Sequence, residues 1–183
     1  QIEAPSKQGC IALARRGAEV WNAWRIAYPA PVADFSQTRF ENENIDFSGF
    51  IFSNSEKRAR HCVDFSDCYF GERNLFGTSI FGDGAKFSRA QFLSNAAFVD
   101  TRFGNDADFD GVSFSENADF SDSLFGNNVN FSGSTFTSYV NFSYSIFSGD
   151  CTFYKTIFAD QNNFSKSNFS GWVSFNAAAF LGD

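Results

Sequence analysis

Residues 98 to 131 read FVDTRFGNDADFDGVSFSENADFSDSLFGNNVNF, with phenylalanine at 98, 103, 109, 114, 120, 125 and 131, so gaps of five and six alternate. Followed outward, the same alternation runs unbroken from Phe65 to Phe180. The unit is therefore eleven residues carrying two aromatic positions. Self-similarity at a short fixed period marks a solenoid, in which a unit buries its apolar residues only by stacking on its neighbours. A helix fits poorly. Eleven residues do match three helical turns, but side chains five apart on a helix diverge by about 140° and make no single face. The intervening Ser, Gly, Asn, Asp, Val and Thr are also weak helix formers. Long strands fail as well, because a gap of five breaks the two-residue alternation. What the spacing predicts is very short extended segments separated by turns, each aiming one Phe inward.

The chain has 183 residues, of which 43% are hydrophobic and 27 are Phe, so a dedicated aromatic core is expected. No run of 18 apolar residues is present to cross a membrane as a helix. The net charge of -7 is unevenly placed. Residues 1 to 102 carry twelve bases and twelve acids, whereas residues 103 to 183 carry Lys155 and Lys166 against nine acids. An acidic half argues against direct contact with nucleic-acid phosphates and suits a basic partner. Cys10, Cys62, Cys68 and Cys151 show no CxxC spacing, and His61 is the sole histidine, so neither a metal nor another cofactor is expected. Cys68 and Cys151 each stand two residues before a stripe Phe, where other units hold Ala, Val, Ser or Thr, and read as small buried residues. That usage is compatible with a reducing cytoplasm, although a removed signal peptide is an alternative for a chain that lacks Met.

Two segments depart from the stripe. Over residues 9 to 28, Leu13, Val20, Trp21, Trp24 and Tyr28 recur at helical spacing, with Arg15, Arg16, Glu19, Asn22 and Arg25 on the other side. Pro29 and Pro31 end the pattern. One amphipathic helix is expected there, closing the open end of the solenoid with Trp21 and Trp24 inward. Residues 1 to 32 thus form a leader and cap, and residues 33 to 183 the repeats. The second departure is the gap of thirteen between Phe52 and Phe65. Its excess lies within residues 53 to 62 (SNSEKRARHC), a polar loop with Lys57, Arg58 and Arg60 beside His61.

The local texts ADF (33 to 35, 107 to 109, 118 to 120), IDF (45 to 47), VDF (63 to 65), VNF (129 to 131, 140 to 142) and NNF (162 to 164) resemble the pentapeptide-repeat consensus A(D/N)LXX, with Phe at the centre. The stretch GAEVWNAWR (17 to 25) followed by Pro resembles a leader found in some bacterial members. The resemblance implies an all-β solenoid, a right-handed quadrilateral β-helix. The residue two before the centre would point inward, and the Asp or Asn just before it outward. With two eleven-residue units per turn, coils of 22 residues are expected, Phe109 stacking on Phe131 rather than on Phe120. Every second face here has six residues rather than five, which predicts a bulged corner near Gly, Asn or Asp, as in FGNDADF (103 to 109).

Catalysis has little to stand on: His61 has no Ser or Cys partner set by the spacing. Two candidate interaction regions remain. One is the loop with Lys57, Arg58, Arg60 and His61, and the other the acidic set Asp106, Asp108, Asp110, Glu116, Asp119 and Asp122. The expected function is that of a non-enzymatic protein–protein interaction scaffold. The resemblance also suggests an alternative, since fluoroquinolone-resistance members are acidic rods that mimic DNA and bind type II topoisomerase. A purely structural module of a larger protein is a further reading, and a twin molecule could close the C-terminal end.

Overall fold

The computed structural model describes residues 5–29, 32–41, 45–53, 62–72, 74–159 and 161–182. Strands of two residues alternate with turns and pair in parallel with a strand one coil later. Four faces result. On the first, Val129–Asn130 pairs with Cys151–Thr152, and on the second Thr135–Phe136 pairs with Ile157–Phe158. On the third, Val140–Asn141 pairs with Asn162–Asn163, and on the fourth Leu124–Phe125 pairs with Ile146–Phe147. Each register step is 22 residues. Across the insertion the step is longer, Ala33 pairing with Val63.

Inside this wall the phenylalanines form four columns. Phe65, Phe87, Phe109, Phe131, Phe153 and Phe175 stack ring on ring at centroid distances of 5.2, 5.0, 4.6, 5.2 and 4.9 Å. Phe109 lies parallel to Phe131 within 7°, but meets Phe120 of its own coil edge-on at 5.7 Å and 89°. The strand spacing explains the geometry. Coils joined by parallel strands repeat at about 4.8 Å, more than the roughly 3.5 Å between parallel rings in contact, so the rings stack with a lateral offset. Offset stacks along the axis and T-shaped contacts across it are the two arrangements that the ring quadrupole favours.

The two residues preceding each Phe have separate tasks. The position two before it points inward, as Ala107, Val129 and Cys151 do on the first face. On the fourth face this position is Ser79, Thr101, Ser123 and Ser145, all fully buried. Their hydroxyls are matched: Ser79 Oγ donates to the Phe47 carbonyl at 2.6 Å, Ser123 Oγ to Phe98 at 2.6 Å and Ser145 Oγ to Phe120 at 2.7 Å. Ser134 and Thr156 on the second face donate likewise to Phe109 and Phe131. Cys68 occupies the equivalent place, its thiol 2.9 Å from the Phe35 carbonyl, whereas Cys151 sits among Val and Ala positions. Burial pushes the Cys62 thiol up to about 11 and Cys68 up to about 12, and raises Cys151 as well. Just before the Phe, Asp64, Asn130, Asn141 and Asn163 each accept the backbone N–H two residues on, at 2.8 to 3.0 Å, which folds the turn.

Left-handed backbone is more widespread than the six-residue corners alone predict. Asp106 and Asn128 do adopt it there, with φ of 58° and 57°. Every five-residue corner uses it too, two residues past the Phe, at Asp67, Thr78, Arg89, Asp100, Gly111, Asp122, Gly133, Tyr144, Lys155, Lys166 and Ala177. The reason is the turn itself. Ser79 N donates back to the Phe76 carbonyl, and a four-residue turn with positive φ at its third position is the type II arrangement.

At the N-terminal end two helices, α1 (Lys7–Ala14) and α2 (Ala18–Ala27), replace the single helix that the periodicity predicts over 9 to 28. Gly17, at φ 87° and ψ 173°, breaks it, in a region that side chains with a Cβ rarely enter. Trp21 is fully buried against Phe35, Phe50 and Phe52 at 5.4 to 5.6 Å, and Trp24 is half-buried beside it at 5.1 Å. Phe50, off the stripe, fills the inward position that later coils give to Ser or Thr, beneath the Trp21 indole.

Helix α2 also stands in for a missing coil. Ile80 N and O pair with Phe50 O and Phe52 N of the coil before. For Ile51 the same groups are taken by side chains: Asn22 Oδ1 accepts Ile51 N at 2.7 Å, and Trp21 Nε1 donates to Ile51 O at 3.0 Å. Arg25, on the helical wheel a polar-side residue, is instead buried, at 2% exposure. Its guanidinium donates to Phe52 O at 2.7 Å and Cys62 O at 3.1 Å, joining the residue before the insertion to the last residue of it.

Thr78 is the only β-branched residue among the left-handed five-residue corners, held at φ 57°, where three of them, Gly49, Gly111 and Gly133, use glycine. Thr78→Gly is expected to stabilise the fold by about 1 kcal/mol, read as a higher urea midpoint. An unchanged or lower midpoint would show that the corner is unstrained. Trp21→Ala should cost about 3–5 kcal/mol, and Arg25→Met about 1–3 kcal/mol through carbonyls left without their donor. Equilibrium denaturation followed by far-UV circular dichroism reads both, and two variants as stable as the parent would remove α2 as the closure of the rod.

Candidate interaction surface

Outward side chains lie on a lattice with one coil spacing along the rod and four faces around it. On this lattice the acidic set, contiguous in sequence, does not form one patch. Asp106 lies at the corner from the fourth face to the first, Asp108 on the first face and Asp110 at its far edge. Glu116 lies at the corner from the second face to the third, Asp119 in the third-face strand Ala118–Asp119, and Asp122 at the next corner. Asp108 and Asp119 therefore point from opposite faces. The six acids form a belt around a single coil.

Several of these carboxylates are committed to the backbone or to a neighbouring coil. Asp108 Oδ1 accepts Asp110 N at 3.1 Å and Asn130 Nδ2 at 3.2 Å. Asp119 Oδ1 accepts Ser121 N at 2.9 Å and Asn141 Nδ2 at 3.1 Å, and Asn141 passes the contact on to Asn163 at 3.1 Å. Asp106 Oδ1 accepts Asn128 Nδ2 at 3.0 Å. Composition alone counts these as surface charge, but their geometry makes them rungs of a ladder. Asp110, Glu116 and Asp122 are exposed and present their charge to solvent.

The other charged candidates sit elsewhere. Lys57, Arg58, Arg60 and His61 lie outside the described residues. Arg89 forms a two-pronged pair with Asp67 one coil earlier, at 2.7 and 2.8 Å, and its hydrogen bonds hold the Asp67 carboxyl below the ordinary range. Both partners are largely exposed, so the pair adds little stability. At the opposite end of the rod Phe175 and Phe180 are 38% and 54% exposed, whereas Phe153 and Phe158 one coil earlier are fully covered. Among the described residues no helix is long and apolar enough to cross a membrane.

The side-chain roles, inward two before the Phe and turn-forming one before it, are carried by the very residues that a family model recognises. A model described as pentapeptide repeats (9 copies) matches residues 76–124, 98–146 and 109–157. No curated protein and no solved structure matches the chain. The matched segment lies within the regular β-solenoid, with its 22-residue coils and Phe-centred faces, and residues 76–157 carry the repeats of the pentapeptide-repeat family.

Proposed function

We propose that this protein is a non-enzymatic scaffold that binds another protein through its outward lattice, in a reducing cytoplasm. The observation that carries the reading is the division of labour among its residues. Phe, Ala, Val, Ser and Thr inside, and Asp or Asn before each Phe, are consumed by the fold, which leaves the exposed corner side chains as the chemically variable part. In residues 103 to 183, with Asp108 and Asp119 set aside as turn-forming, seven acids stand against two bases, which favours a cationic partner. Four buried free cysteines, with no need of an oxidising compartment, support the location.

The belt of acids around one coil gives the alternative reading its support. A cationic groove that grips a rod from opposite sides, as it would a duplex, meets charge on both. Type II topoisomerase is the candidate groove. A twin molecule seated on Phe175, Phe180 and Leu181 is a separate possibility, to be read from the solution mass by light scattering.

Asp110→Asn, Glu116→Gln and Asp122→Asn, combined, remove exposed charge without touching the turn-forming acids. The parent is expected to inhibit DNA supercoiling by purified gyrase, less so as salt rises, and the triple variant to need at least about tenfold more protein. No inhibition by the parent removes the topoisomerase reading. For the scaffold reading, the immobilised parent should retain host proteins that elute with salt. Retention equal to that on the triple variant would overturn an acidic contact surface.

A further inference from the structure

The corner from the fourth face to the first changes form partway along the rod. Asp83 Oδ1 accepts Asn105 N at 2.8 Å, and Asn105 Oδ1 accepts Asn127 N at 2.9 Å, each one coil later and two residues past the Phe. The residue after each of these is left-handed: Gly84, Asp106 and Asn128. Beyond this point the ladder shifts by one residue. Asn127 Oδ1 accepts Asp150 N, and Asp150 Oδ1 accepts Trp172 N, both at 2.8 Å. Gly149 takes the place Asn127 holds one coil earlier, and a Cβ there would run into the Asn127 side chain, so the shifted corner requires the glycine.

The shift opens a pocket of about 260 Å³, lined by Asn128, Val129, Asp150, Cys151, Thr152 and Trp172. Its wall is an indole with no structural duty. Trp172 is 67% exposed, while Trp21 and Trp24 pack into the cap. Beside it stands the exposed carboxylate of Asp150. A carboxylate has about four acceptor sites, and the Trp172 N–H occupies one of them.

We propose that this pocket binds an arginine side chain of the partner protein, the guanidinium stacked on the Trp172 indole and donating to the Asp150 carboxylate. The inference rests on the scaffold reading and assigns it a specific contact. Trp is the best aromatic platform for a cation, and a planar guanidinium stacks and hydrogen-bonds at the same time. The two bases of this half of the chain already lie on aromatic rings at other corners, Lys155 Nζ 5.1 Å from the Tyr154 ring and Lys166 Nζ 4.7 Å from Tyr144. Trp172 offers a ring of the same kind, with the Asp150 carboxylate beside it and room for a cation from outside.

Arginine amide is the probe, and the indole N–H resonances of the three tryptophans are the reporters. Titration should shift the Trp172 resonance with a dissociation constant on the order of 10 mM, leaving Trp21 and Trp24 unmoved. Asp150→Asn, which keeps an oxygen for Trp172 N, should weaken binding about fivefold or more. Trp172→Ala, tested by the change in arginine-amide chemical shifts on adding protein, should abolish it, with an unchanged unfolding midpoint as the control for folding. Citrulline amide, an uncharged isostere, and methyl glucoside, a neutral sugar, should give no comparable shift. An equal response to either neutral probe, or none to arginine amide, overturns the proposal. Such a failure is separable from failure of the scaffold reading, because retention that is lost on neutralising Asp110, Glu116 and Asp122 reports on the acidic corners while Asp150 and Trp172 stay unchanged.

Discussion

The structure depends on a match between two lengths. Parallel strands fix coils about 4.8 Å apart, and at that spacing offset phenyl rings touch without strain. The observed columns run at 4.4 to 5.4 Å. A single side-chain type can therefore repeat on all four faces, because each ring meets an identical ring above and below and edge-on rings across the interior. Leu or Ile could fill the volume, but neither has a flat face to place in register with its copy. The rest of the fold is arranged to preserve this match: turns every five or six residues, small inward residues beside each ring, and polar residues that bind backbone instead of reaching outward.

That dependence explains what the sequence made legible. The 22-residue coil and the ring columns follow from the eleven-residue spacing together with the four-sided turn that the pentapeptide-repeat resemblance implies, since one coil length holds for most of the chain and any slip would misplace every later ring. Features set by backbone geometry were harder to see. Left-handed corners at Arg89 and Tyr144 carry none of the usual glycine mark, because pairing with both neighbouring coils over-determines the turn. The break at Gly17 was hidden by a periodicity that continues on both sides of it. Arg25 was misplaced for a related reason: a helical wheel sorts residues by polarity, whereas this guanidinium is buried to satisfy carbonyls of another segment.

The candidate surface shows a similar division. Acids that look clustered in the linear sequence separate around the circumference, and those placed directly before a Phe serve the turn. Their sequence context, ADF, already marked Asp108 and Asp119 as repeat positions. The pocket beside Trp172 had no such signal, because it arises where a corner ladder shifts by one residue between coils. Only the glycines at 149 and 171, which stand where the earlier coils have Asn105 and Asn127, mark the place in the sequence.

The side chains of Trp21, Asn22 and Arg25 that occupy the first edge have a consequence for synthesis. A ribosome makes α2 and the first coil before any later coil exists. Each new 22-residue stretch, produced in about 1 to 4 s at ordinary elongation rates, then meets a closed rod with one growing edge. Because a coil touches only its neighbours, it can be added as soon as it emerges. Folding can thus proceed in the order of translation, from the sealed end toward the open one, and the newest coil is the only one exposing rings at any moment.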